Sequence, residues 1–195
     1  MPITIQWISA IIVIFTALLL VYDLEWQINS GLMGIQFFAV LFLMLVYWPV
    51  NLSGSYFIAG WVSVLILTIS LNRAAKGAVI EINFLSFEKF FHMLTALLVM
   101  VVIITSYDSL THWFPSATSP LLISSLSLIL LGFLGLAFAK RIEKTVYGLL
   151  TFLAGFEITF TQVDNSILMV SLICSAMLLI TLVGVYFLQI EEQRV

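Results

Sequence analysis

The sequence predicts an all-α, polytopic membrane bundle of about seven helices, and three observations predict it. Hydrophobic residues make up 63% of the 195 and charged residues 9%, against roughly 25% charged in soluble domains, and the mean hydropathy is +1.20. Unbroken apolar runs succeed one another at 3 to 22, 30 to 48, 55 to 71, 90 to 107, 120 to 139, 145 to 163 and 166 to 188. Most approach the twenty or so residues that a spanning helix needs. Finally, Lys and Arg fall only in alternate connections.

A membrane β-barrel would need short segments of alternating polarity separated by turns, whereas these runs are continuous. The first run has no Lys or Arg ahead of it and no small-residue cleavage site, so it reads as a retained helix rather than a signal peptide. With seven spans, the connections at 23 to 29, 72 to 89 and 140 to 144 share a side with the C-terminus. That side holds Arg73, Lys76, Lys89, Lys140, Arg141, Lys144 and Arg194, and the other side holds none. The positive-inside rule then places the N-terminus outside and the C-terminus in the cytoplasm.

Each span has its own character. The first, Ile3 to Tyr22, has no ionisable group within its apolar body, and Trp7, Tyr22 and Trp26 suit interfacial belts. It reads as an anchor, and Asp23 and Glu25 as solvated acids in the turn that follows. The second opens with Gly31 and Gly34, which permit close helix approach, and carries Gln36 further in, expected to bond a neighbouring helix or to line an ion path. Trp48-Pro49 should end it, since proline lacks an amide donor and restricts its predecessor. The third contains Gly60-Trp61, with Trp61 expected to pack into a gap left by glycine.

Residues 72 to 89 form the longest connection, and 78 to 87 read as a short interfacial segment. His92, near the start of the fourth span, reads as a local hydrogen-bonding group. Asp108 and His112 on the other side read as an ion pair. In the fifth span Gly135 and Ala139, and in the seventh Ser171 and Ser175, form small-xxx-small pairs expected to be contact faces.

Polarity returns in the sixth span. Glu157 lies thirteen residues beyond Lys144, roughly 20 Å along a helix and past the middle of a hydrocarbon layer about 30 Å thick. A charge there costs about 2.5–3.5 kcal/mol on insertion scales, which makes it a functional-site candidate. At helical spacing Ala154, Glu157, Thr161 and Asp164 share one face, while Gly148, Thr151, Gly155, Thr159 and Gln162 share another. The candidate ion path is therefore Glu157, Thr161, Asp164 and Gln36. The alternative is an acid that simply bonds a neighbouring helix.

Other chemistry finds little support. The net charge of -3 and the lack of a basic stripe argue against nucleic acid. Cys174 is the single cysteine, which excludes an internal disulfide, and it reads as a packing residue. No nucleophile elbow or HExxH pattern occurs, and no catalytic residue, metal site or cofactor is expected.

Ser30-Gly31-Leu32-Met33-Gly34-Ile35-Gln36, Ser53-Gly54-Ser55-Tyr56-Phe57-Ile58-Ala59-Gly60, and Tyr147-Gly148 after a basic turn resemble the membrane subunit called hydrogenase-4 component E. That subunit type is similar in its last three helices to the K subunit of complex I and the C subunit of Mrp antiporters. The resemblance implies larger antiporter-like or quinone-oxidoreductase-type partner subunits in a bacterial or archaeal cytoplasmic membrane. It also implies a lysine in the third helix and a glutamate soon after Tyr147-Gly148. Gly60 and Leu153 stand there instead, and Glu157, one turn beyond Leu153, is the residue carried over.

The chain reads as one integral membrane domain, 1 to 195. Spans one to three and five to seven share orientation, which is compatible with three-helix units at 1 to 71 and 120 to 188 joined by the helix at 90 to 107. Three functions compete: a non-catalytic subunit contributing to proton or sodium translocation, a structural scaffold subunit, and an independent transporter. The last lacks a second buried charge and an interrupted helix.

Overall fold

The computed structural model describes residues 3–22, 24–74, 87–111, 118–162 and 166–192. Seven α-helices follow one another: α1 (Ile3–Tyr22), α2 (Trp26–Met44), α3 (Val50–Ala74), α4 (Phe87–Thr111), α5 (Ser119–Ala137), α6 (Ile142–Thr161) and α7 (Ile167–Glu192). There is no strand among the described residues. Six of the helices are long and apolar enough to cross a membrane, consistent with an integral membrane protein in a lipid bilayer. The exception is α6, which carries Glu143, Lys144 and Glu157.

Helix ends differ from the apolar runs for local reasons. Apolar content marks the lipid-spanning part, and backbone hydrogen bonding carries a helix beyond it, so α2, α3 and α4 begin three to five residues early. Conversely, α2 stops at Met44, five residues before Pro49. The intervening turn is closed by backbone bonds from the Tyr47 and Trp48 amides to Met44 O. Pro49 immediately precedes the first residue of α3, where an absent amide costs nothing because that position has no intrahelical acceptor.

The helices form two facing layers. In one, α2 packs between α1 and α3; in the other, α6 packs between α5 and α7. Across the layers α1 meets α5, α2 meets α6 and α3 meets α7, so equivalent members of the two triplets face one another. α4 leans on α5 and α1 at one edge, leaving Phe90, Leu98 and Ile104 exposed.

Side-chain contacts fix the directions. Ser30 reaches Tyr147 and Thr151 reaches Met33, so α2 and α6 run parallel. α5 and α6 are antiparallel, with Gly132 against Phe152 and Gly155 against Ile129. At one end the His92 ring stacks on Phe138, centroids 4.0 Å apart, bringing the start of α4 to the end of α5. At the other end the Thr118 amide donates to the Tyr47 hydroxyl, and Tyr107 donates to Ser119. Among the described residues, Arg73, Lys89 and Lys144 in the terminal turns of α3, α4 and α6, and Lys140 and Arg141 between α5 and α6, lie at the first of these ends, here called the basic end.

Close packing falls on different small residues from those expected. Ser171 and Ser175 are exposed and bond only to carbonyls of their own helix, Leu168 O and Ser171 O, so they are not a contact face between these helices. The tight approach in α7 is at Gly184, against the Val146 side chain. Gly31 has open space beside it. Gly34 borders Trp61 and Gly60 is covered by the Phe37 ring, so Trp61, 40% exposed, sits over the glycine of the neighbouring helix rather than its own. Gly135 lies in ordinary contact with Gly148, as its pairing pattern suggested.

Candidate functional site

α6 is the inner helix of its layer, and its two faces are built differently. Toward α5, Gly132, Gly148 and Gly155 let backbones meet; a Cβ on Gly132 would lie 2.6 Å from the Phe152 amide nitrogen. The neighbouring α5 hydroxyls Ser124, Ser125 and Ser127 are buried but all donate to carbonyls one turn back in their own helix. This face leaves no hydroxyl searching for a partner.

The face bearing Ala154, Glu157 and Thr161 is also buried, but its polar groups are not satisfied alike. Thr161 donates to Ile158 O at 2.7 Å. Glu157 is 0% exposed, and neither carboxylate oxygen has a hydrogen-bonding partner among the described residues. Gln36 on α2 is equally buried with both amide atoms unpartnered among the described residues, so the interhelical bond expected of it is not formed with any of them. Tyr56 on α3 is 0% exposed with its hydroxyl unpartnered, and both Tyr56 and Cys174 on α7 lie within electrostatic range of Glu157.

The parallel seam between α2 and α6 supplies polar groups below it. The Ser30 and Tyr147 hydroxyls share a 2.6 Å hydrogen bond. One turn further, Thr151 Oγ1 donates to Met33 Sδ at 3.7 Å. Gln36 stands three residues beyond Met33, and Glu157 six beyond Thr151, which places Gln36 at a height between them, with Glu157 roughly 9 Å above Thr151.

The expected outward continuation is described as far as Thr161. Asp164 lies outside the described residues, as do His112, the Asp108 side chain and the segment 75 to 86 that contains most of the proposed interfacial stretch. His92 is buried and stacked on Phe138. Among the described residues no cluster of three His, Cys, Asp or Glu could hold a metal.

Tyr56, singled out in sequence only as part of the Ser53–Gly60 segment, and Asn29 and Gln6, not singled out at all, are also buried polar residues. Gln6 in α1 is 4% exposed with its Oε1 unpartnered, so α1 is more than an apolar anchor. A polar residue near a helix end resembles an interfacial group in sequence, and Tyr56 stood among such residues. No family model, curated protein or solved structure matches this chain.

Proposed function

We propose that the chain is a non-catalytic membrane subunit of a complex I-like, hydrogenase-like or antiporter-like assembly, in which Glu157 takes part in moving protons or sodium ions. The observation that carries this reading is the state of Glu157: wholly buried, with both oxygens unpartnered and other unsatisfied groups on neighbouring helices. A buried polar group without a partner costs about 1–3 kcal/mol and a charged one more, a cost that a purely structural acid would remove by bonding across the bundle. The resemblance of the Ser30–Gln36, Ser53–Gly60 and Tyr147-Gly148 segments to hydrogenase-4 component E supports the same class.

In this reading α6 crosses the membrane as a seventh span, shielded by α2, α5 and α7. The basic end faces the cytoplasm and the N-terminus lies outside, by the positive-inside rule. Labelling of a cysteine introduced at 140 to 144 from the cytoplasmic side tests that orientation. One buried acid does not make a relay by itself, so larger membrane subunits complete the path.

The deciding experiment is Glu157→Gln in the assembly purified under mild detergent and reconstituted into vesicles. The amide keeps shape and hydrogen-bonding capacity but cannot ionise. Proton or sodium uptake should fall at least tenfold with the assembly intact; unchanged uptake leaves the scaffold role.

A further inference from the structure

At the basic end of the bundle, α1, α2, α4, α5 and α6 enclose a small cavity of about 30 Å³. Its polar wall comprises Asn29, His92, Lys144, Tyr147 and Thr151, and Gly132, Gly135 and Gly148 line the side where α5 meets α6. A site needs about 10–15 Å³ of such volume per water molecule, together with two to four polar partners. The cavity therefore has room for about two.

Its lining residues carry acceptor atoms that can hold them. Asn29 is 3% exposed; its Nδ2 donates to Leu24 O at 3.0 Å, which fixes the amide and leaves Oδ1 as a buried acceptor without a partner. Thr151 spends its proton on Met33 Sδ, so its oxygen can accept. Tyr147, whose hydroxyl is joined to Ser30, lines the same wall. Water donating to Asn29 Oδ1 would satisfy a group that has no partner among the described residues, and Thr151 Oγ1 can accept from it as well.

We infer that this cavity is a water-binding site and the inner mouth of the route to Glu157, connecting the basic end through Asn29, Tyr147 and Thr151 to the level of Gln36. The water site stands on the cavity alone; its role as a mouth rests on the ion-path reading. Above Thr151 the seam rises to Gln36 and Glu157 on the two parallel helices, so water held here is the nearest source of protons on that side.

Radiolytic hydroxyl-radical footprinting of the assembly reads bound water without reference to transport. Met33, which touches Thr151, and Met177 on α7 are both 0% exposed, so the same side-chain chemistry is compared at equal burial. Met33 should oxidise several-fold faster than Met177, and Asn29→Leu or Thr151→Val should remove the difference. Equal rates in the unaltered protein would overturn the water site. Thr151→Val should also slow proton uptake several-fold, and unchanged uptake would overturn the role as a mouth. A rate contrast combined with uptake insensitive to Glu157→Gln would retain the water site and reject the ion path; no contrast with sensitive uptake would do the reverse.

Discussion

The two faces of α6 use opposite solutions to burial in a membrane bundle. Against α5, glycines bring backbones together and Ser124, Ser125 and Ser127 bond to their own helix, so the contact is held by close packing. Against the other layer, Glu157 is surrounded by elements that bring Gln36 and Tyr56 into the interior without satisfying them. A helix interface selected only for stability would resemble the first face throughout. The difference indicates that packing on one side holds the helix while the other side retains polar groups at an energetic cost.

The largest effect should come from the glycine face. A Cβ at Gly155 would stand 2.6 Å from the Ile129 amide nitrogen and 2.8 Å from Ser125 O, atoms that cannot turn aside. Overpacking costs about 1–3 kcal/mol and sometimes more, and Gly155→Leu should exceed that range because backbone must move. Fluorescence-detected size exclusion after heating should show loss of the folded, monodisperse species. A stable Gly155→Leu protein would mean that the two faces do not differ in tolerance.

Glu157→Leu tests the opposite face with the same new side chain. Since no described residue bonds the carboxylate, an apolar replacement removes an unsatisfied group rather than breaking a bond, and thermal stability should hold or rise by about 1–3 kcal/mol. A drop of that size would reveal a partner for the acid and return it to a structural role. Together with lost uptake in Glu157→Gln, retained stability would separate function from packing at one residue.

The smallest effect is expected where sequence spacing alone suggested an interface. Ser175 is exposed on α7 and bonds only to Ser171 O, so Ser175→Leu should change the stability of the isolated chain by no more than about 0.5 kcal/mol. A larger change in the same heating assay would restore that face to the interior contacts.

Helix number and approximate position were legible because a long apolar run announces itself by local composition, and the place of Glu157 along α6 because it follows from counting residues. The one-sidedness of Lys and Arg was equally a property of the chain. What sequence did not disclose was which small and polar residues would meet. In a soluble helix a polar outer face reveals the inner one, but lipid is as apolar as leucine, so both faces of a membrane helix are apolar. Gly132 and Ser171 therefore look alike as small residues; only the packing of α5 on α6 gives the first a backbone neighbour and leaves the second outside. The same holds for the site: Glu157 was visible as an isolated acid, but α7 had to pack on α6, and α3 on α2 and α7, before Cys174 and Tyr56 came within its range. The cavity at Asn29 and Thr151 needed five helices to close around it, and no local pattern encodes a space.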